Sequence, residues 1–144
     1  MFSKTTEYGI RAMIFIMSNS LQDKRVRLKE IAAAIDSPES FTAKILQNLS
    51  KANVVDSVKG PHGGFEINKD KMQTLTLIDV VIALDGNKLF EGCGLGLKAC
   101  NSEKPCPLHQ HFLEVRTKIT AMLVENKIID LAQDLQTGLS FLKQ

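Results

Sequence analysis

Residues 38–67, PESFTAKILQNLSKANVVDSVKGPHGGFEI, decide the fold. In the first half of this stretch, Phe41, Ile45 and Leu49 recur four positions apart, which places them on one side of a helix over about residues 39–52. The second half is rich in β-branched residues and is interrupted by Gly-Pro-His-Gly-Gly at residues 60–64. That composition is typical of two short strands, 54–59 and 65–68, joined by a tight turn. The stretch therefore predicts a helix followed directly by a β-hairpin.

A narrow polar stripe lies opposite the apolar side of this helix. A shorter helix, residues 28–35, precedes it through a turn in which Ser37 is the expected N-cap and Pro38 the first helical residue. Two helices joined in this way form a helix-turn-helix, whose second helix can enter the major groove of DNA. Lys and Gln can bind base edges there, whereas Ser and Lys can bind phosphate. The stripe consists of Ser40, Lys44, Gln47 and Lys51. The alternative is an ordinary solvated helix face.

A hairpin directly after a helix-turn-helix is a wing. Lys59 and His62 lie where they can touch the DNA backbone or the minor groove, and the glycines allow close approach to a phosphate. The alternative is a hairpin turn without a role in binding. A short basic stretch, residues 24–29, precedes the second helix. The full set of candidate DNA-binding residues is Arg11, Ser40, Thr42, Lys44, Gln47, Lys51, Lys59, His62 and Gly63.

The fold class predicted for the whole chain is mainly α with a small β wing. We expect a winged-helix DNA-binding domain over 1–85, which begins with a helix over 4–19 capped by Thr5 or Thr6, and a cysteine-bearing loop over 86–106. Residues 107–144 would form a long helix, to about 127, and a poorly specified tail. Apolar residues recur four and three positions apart in that helix, as in a dimerisation seam, although the seam could also pack on the protein's own core. They are Leu108, Phe112, Val115, Ile119 and Met122.

Three cysteines follow the pattern Cys93-x6-Cys100-x5-Cys106. Thiolates are soft ligands that select zinc, copper(I) or the iron of iron–sulfur clusters. Zinc ligands usually come in closer pairs, whereas a wide, glycine-rich loop can wrap a larger group. A fourth ligand could be His109, three residues after Cys106, or Glu7 of the partner subunit. The alternative is three free cysteines in a flexible loop.

Composition narrows the classes of protein. The net charge is +2, with nine Lys/Arg against six Asp/Glu in residues 1–60, which is compatible with nucleic acid. We expect a cytoplasmic protein without a membrane segment, because there is no apolar run of membrane-spanning length and no signal peptide. An odd number of cysteines argues against a disulfide framework. The sequence has no nucleophilic residue with a base at the spacing of a known catalytic motif, so nothing in it indicates an enzyme.

The chain resembles the IscR/NsrR/CymR family of winged-helix regulators over nearly its full length. The resemblance rests on residues 37–65, above all Asp56–Phe65 (DSVKGPHGGF), on the start Thr6–Arg11 (TEYGIR), and on a cysteine loop before a long helix. It implies a homodimer that binds a double-stranded DNA operator through the third helix and wing. It also implies a long cross-subunit helix after the cluster loop.

Ligand sets differ within this family. One branch uses a histidine three residues after the last cysteine, which falls on His109, and another uses an acidic residue of the partner's first helix, which falls on Glu7. The family's commonest spacing has one residue fewer between the first two cysteines than Cys93 and Cys100 have here. The type of cluster, [2Fe-2S] or [4Fe-4S], therefore stays undecided. The sequence therefore predicts a regulator of the repressor type that is controlled by an iron–sulfur cluster. The rival predictions are a cluster-free winged-helix regulator that responds to a small molecule or thiol oxidation, and an iron–sulfur carrier or redox enzyme.

Overall fold

A computed structural model describes residues 1–143 of the chain. It is mainly helical with one two-stranded sheet, which confirms the predicted fold class. The elements in chain order are α1 (Lys4–Ser20), α2 (Leu28–Ile35), α3 (Glu39–Lys51), β1 (Asp56–Val58), β2 (Gly64–Glu66), α4 (Lys69–Met72), α5 (Leu77–Asp85), α6 (Lys88–Glu91), α7 (His109–Glu125) and α8 (Ile128–Gln136).

Two helix caps differ from the predictions. Helix α1 is capped by Ser3, whose Oγ accepts the Thr6 backbone N–H at 3.1 Å, so neither Thr5 nor Thr6 is the cap. Pro38 is the residue before α3 and the helix begins at Glu39. Ser37 does not cap the backbone; its Oγ lies 3.0 Å from the Thr42 hydroxyl instead. Both predictions were one to three residues off because several hydroxyl residues stand close together at each helix start.

The wing is the predicted hairpin with shorter strands. β1 and β2 are antiparallel, with Asp56 opposite Glu66 and Ser57 opposite Phe65. Val54 and Val55, which were expected in the first strand, are buried in the core below it. Asn53, two residues after the end of α3, has a φ of 59°, a conformation that Asn tolerates better than most residues. Val26 pairs with Phe65 on the outer side of the hairpin and adds a third, one-residue strand.

One hydrophobic core contains residues of the first five helices and of the last two, α7 and α8. α1 lies at its centre, with Met13, Ile16 and Met17 fully buried. Gly9 of α1 allows α5 to pack closely, because a Cβ at this position would overlap the Leu84 side chain. The last helix, α8, packs on α1 through Ile128, Ile129 and Ala132. The other buried apolar residues of this core include Ile31, Ile35, Ile45, Leu46, Leu49, Val80, Val81 and Leu123.

Helix α7 is shorter than the predicted 107–127 and is mostly exposed. Leu123 is its one buried residue. Of the predicted seam, Val115 is 52% exposed, Leu108 42% and Met122 38%, whereas Phe112 and Ile119 are half-buried within the chain. None of the described helices is long and apolar enough to cross a membrane.

Candidate functional site

The predicted polar stripe and the wing face each other across one groove. This groove, of about 810 Å³, runs between α3 and the hairpin, with Leu28 and Phe65 among its apolar walls. Because α3 buries Ile45, Leu46 and Leu49, its opposite side is turned outward into the groove. The structure brings five of the predicted residues together here: Ser40, Lys44, Gln47, Lys51 and Lys59.

The groove is positively charged. Within the described part of the chain, no carboxylate lies within 4.0 Å of the Lys44, Lys51 or Lys59 ammonium groups. Unpaired lysines on one concave face attract a polyanion such as the DNA backbone. Gln47 and Ser40 add hydrogen-bonding groups without charge, which suits contacts to base edges.

Two of the predicted DNA-binding residues, Thr42 and Gly63, are buried and make contacts within the chain. Thr42 is fully buried, with its hydroxyl 2.9 Å from the Pro38 carbonyl and 3.0 Å from Ser37 Oγ. Gly63 is buried at the wing turn; its N–H donates to the Gly60 carbonyl at 3.0 Å, and a Cβ would overlap the Val58 carbonyl oxygen. In this structure Thr42 therefore shapes the start of α3 and Gly63 shapes the wing turn, and a contact of either residue with DNA stays a prediction.

The remaining two predicted residues, His62 and Arg11, are not among those that line this groove. His62 is exposed at the tip of the wing. Arg11 is half-buried on α1; its guanidinium lies 4.2 Å from the centre of the Tyr8 ring and donates to the Ile35 carbonyl at 3.2 Å. Arg11 therefore links α1 to the last turn of α2, in addition to the apolar packing between these helices.

Sequence reasoning left the basic stretch 24–29 without a role. In the structure, Arg25 donates to the His62 carbonyl at 3.2 Å and to Glu66, and Arg27 donates to the Pro61 carbonyl. The signal available in the sequence was the alternation of two arginines around the apolar Val26, which is typical of a strand. It was too short to be separated from an ordinary solvated loop.

The cysteine loop is the second candidate site. Cys100 is exposed, Cys93 and Cys106 are half-buried, and all three are free thiols. Cys100 Sγ lies 3.3 Å from His109 Nδ1, in the first turn of α7. Arg116 follows His109 by seven residues, two helical turns, and its Nη1 lies 3.7 Å from the same sulfur. Sequence reasoning missed Arg116, although this seven-residue spacing from His109 was the available signal.

Local hydrogen bonds favour the ionised form of Cys93. The backbone N–H groups of Leu95 and Leu97 point at its sulfur and hold the pKa of the thiol below its usual range. Partial burial opposes this pKa shift, while the Cys106 thiol and the charge of Arg116 add smaller contributions in the same lowering direction. A thiolate is the form that binds a metal, so the loop favours the ligand form at this position.

The donors are not arranged for a single metal ion. Among residues 1–143, no three His, Cys, Asp or Glu side chains converge as one ion would require. In its chemistry the donor set, three thiols with an imidazole 3.3 Å from one of them, is of the kind that holds iron–sulfur clusters. Gly94 lies against the Phe112 ring, where a Cβ would overlap it, and this contact holds the loop on α7. Glu7 pairs with Lys4 at 3.0 Å on the outer side of α1.

This chain is similar to a known protein family over most of its length. The family model described as "Rrf2: Iron-dependent Transcriptional regulator" matches residues 2–134. An HTH-type transcriptional regulator of Aquifex aeolicus (strain VF5) is 33% identical over 132 residues, which cover 90% of this chain and 90% of the relative.

Two solved structures share the fold. CymR, the global cysteine regulator of B. subtilis, matches with a TM-score of 0.73 at 20% identity, covering 92% of this chain and 96% of that chain. T. potens IscR matches with a TM-score of 0.74 at 19% identity, covering 97% and 91% of the two chains. Proteins of this family bind DNA and regulate transcription, and they are not enzymes. The chain is a member of the Rrf2 family of transcription regulators.

Proposed function

We propose that this regulator binds a double-stranded operator as a cytoplasmic homodimer, and that an iron–sulfur cluster on the cysteine loop controls the binding. The DNA contacts would come from the groove between α3 and the wing, with Lys44 and Gln47 at base edges and Ser40, Lys51, Lys59 and His62 at the backbone. The observation that supports the DNA-binding part of this proposal is the groove itself, which brings together unpaired lysines from α3 and from the hairpin.

Three features support the cluster. The loop presents three free thiols, local hydrogen bonds favour the ionised form of Cys93, and His109 lies 3.3 Å from the Cys100 sulfur. The family model's printed description, iron-dependent, agrees with an iron-containing group. Cys93, Cys100 and Cys106 would be ligands as thiolates, and His109 is our first choice for the fourth. Glu7 of the partner subunit is the second choice.

The chain's own residues suggest how the loop could act on the DNA-binding half. When bound, a cluster supplies an iron centre whose gain, loss or oxidation changes the charge and shape of the loop. The loop is anchored on α7 by Gly94 against Phe112, and α7 carries the exposed seam for the second subunit. A change in the loop would therefore shift α7, and with it the separation of the two recognition helices.

The test of the cluster is anaerobic purification with iron and sulfide assays and a visible spectrum. The parent should hold iron and sulfide, and replacing any single cysteine by Ala should remove most of both while the dimer stays folded. His111→Ala is a matched control, because His111 is exposed on α7 and is not a proposed ligand. Three cysteine variants that retain iron and sulfide like the parent would contradict the site.

The fourth ligand is tested in the same preparation. If His109 binds iron, His109→Ala changes the spectrum or accelerates cluster loss, and Glu7→Ala leaves both unchanged. If Glu7 of the partner subunit binds iron, the two variants exchange these results.

A second candidate is a cluster-free regulator that responds to thiol oxidation. It is favoured by one observation: the exposed Cys100 sulfur lies between the His109 imidazole and the Arg116 guanidinium. Arg116 is a cation, and a cationic neighbour is typical of reactive cysteines. Protein without iron or a visible band, but with Cys100 readily oxidised and DNA binding lost on oxidation, would establish this candidate in place of the first.

A further inference from the structure

The segment before α2 runs along the outer side of the wing. Val26 and Phe65 exchange backbone hydrogen bonds of 3.1 and 2.8 Å, so Val26 acts as a third strand. Because neighbouring side chains of a strand point to opposite faces, Arg25 and Arg27 share the face that Val26 does not occupy. Val26 is buried, and both arginines are exposed beside the wing turn. Gly64 allows this close approach, since a Cβ there would lie 2.7 Å from the Val26 carbonyl oxygen.

Both arginines hold the backbone at the tip of the wing. Arg25 Nη1 donates to the His62 carbonyl at 3.2 Å, and Arg27 Nη2 donates to the Pro61 carbonyl. Two strands of three residues are too short to be stable alone, so contacts of this kind decide where the tip lies.

The two arginines differ in charge balance. Arg25 pairs with Glu66, with Nε 2.9 Å from Oε2 and Nη2 3.4 Å from Oε1. No carboxylate among the described residues lies within 4.0 Å of the Arg27 guanidinium. The nearby Glu30 carboxylate accepts the backbone N–H of Arg27 at 2.7 Å and so serves the start of α2. The charge of Arg25 is thus compensated within the chain, and that of Arg27 is not.

We propose that Arg25 and Arg27 form a clamp that positions the wing tip for DNA, and that Arg27 also binds a DNA phosphate. Arg27 directly precedes Leu28, which lines the groove between α3 and the wing, so its free charge lies at the border of the candidate DNA-binding face. A guanidinium that already holds one carbonyl keeps further N–H donors for a phosphate. Arg25 is a positioning residue, because Glu66 holds its charge. This inference rests on the proposed DNA-binding face.

The test is the affinity of the full-length dimer for an operator selected from genomic DNA, measured by fluorescence anisotropy over a series of salt concentrations. Arg27→Ala should lower the affinity about tenfold and reduce the slope of log K against log salt by about one per subunit. Arg27→Lys should restore the slope, because it keeps the phosphate-binding charge. Arg25→Ala should lower the affinity with an unchanged slope. Lys29→Ala, which removes an exposed cation in the first turn of α2, is the matched control and should change neither.

A second readout follows the wing itself. In Arg25→Ala, the Gly63 amide, which donates to the Gly60 carbonyl at 3.0 Å, should exchange its hydrogen faster than in the parent, and it should not do so in Lys29→Ala. Unchanged slope in Arg27→Ala, or unchanged exchange and affinity in Arg25→Ala, would overturn the clamp while the α3 groove stands. If Lys44→Ala and Gln47→Ala also bind like the parent, the DNA-binding face itself is wrong, and the clamp with it.

Discussion

The DNA-binding half and the cysteine region of this chain are built in opposite ways. Residues 1–81 contain most of the buried core, and their helices and wing are held by contacts within the chain. From residue 82 to residue 122, all of which the structure describes, no residue is buried. This stretch carries three free thiols and three exposed apolar residues of the α7 seam.

This difference indicates which of the two regions needs a second subunit or a bound group to be complete. The groove between α3 and the wing exists without DNA because the core fixes both of its walls. The cysteine region instead leaves thiols and apolar side chains open, which is unfavourable unless another group covers them. We therefore expect changes in the first region to act locally, and changes in the second to act through a second subunit or a cluster.

The largest effect is expected on α7. Val115→Glu with Met122→Glu places two charges in the exposed seam, and the chain should become monomeric because an interface cannot bury them unpaired. Operator affinity should then fall by about 100-fold or more, since two half-site contacts no longer act together. Analytical ultracentrifugation and anisotropy measure the two effects.

The control for this seam is Gln110→Glu with Ala121→Glu, at exposed positions on the other side of α7. It should remain dimeric and bind the operator like the parent. A seam variant that stays dimeric would show that these residues pack elsewhere and that the dimer is formed by another face.

The second effect concerns base contacts from α3. Lys44→Ala and Gln47→Ala should each weaken operator binding by about 1–3 kcal/mol if the side chain contacts a base edge. The thermal melting temperature should barely change, because both residues are exposed. Binding equal to the parent in both variants would remove α3 as the recognition helix.

Thr42 gives the opposite pattern on the same helix. Thr42→Val keeps the side-chain shape but leaves the contacts to Ser37 and the Pro38 carbonyl unmade, which should cost about 1–3 kcal/mol in the free energy of unfolding. Chemical denaturation measures this loss. Sequence specificity should be unchanged at a temperature where the variant is folded; a changed base preference would return Thr42 to the DNA contacts.

The smallest effect is the pH dependence of Cys93. Its pKa lies below that of an ordinary cysteine, so the thiolate persists to lower pH and is lost only as the pH falls through this lowered value. Alkylation of cluster-free protein, followed on the Cys93 peptide by mass spectrometry, should reach half-maximal rate at a lower pH than a cysteine peptide. Leu95→Pro removes the leading N–H donor and should move the midpoint upward; an unmoved midpoint would contradict this cause.

The sequence predicted the parts of the fold that depend on local pattern. The period of α3, the glycine turn of the wing and the stripe from Ser40 to Lys51 follow from spacing alone, and the structure assembles them as expected. The helical period also places Thr42, which was predicted to bind DNA. It lies about 200° from Ser40 around α3, between Leu46 and Leu49 on the buried side, so its burial follows from spacing as well.

Contacts between residues far apart in the chain could not be predicted from the sequence. Nothing local indicates that Arg27 reaches Pro61, 34 residues away, or that α8 packs on α1. The three cysteines and their wide spacing predicted ligands for a soft metal, but only the structure shows His109 and Arg116 beside Cys100.

We propose above that a cluster on the cysteine loop controls DNA binding. The most direct measurement is the operator affinity of one anaerobic preparation before and after removal of its cluster, with the Cys106→Ala dimer as the cluster-free reference. If the cluster controls binding, affinity or operator choice changes on removal, and the stripped parent then matches Cys106→Ala. Equal binding by the cluster-bearing and cluster-free forms of the parent would contradict it.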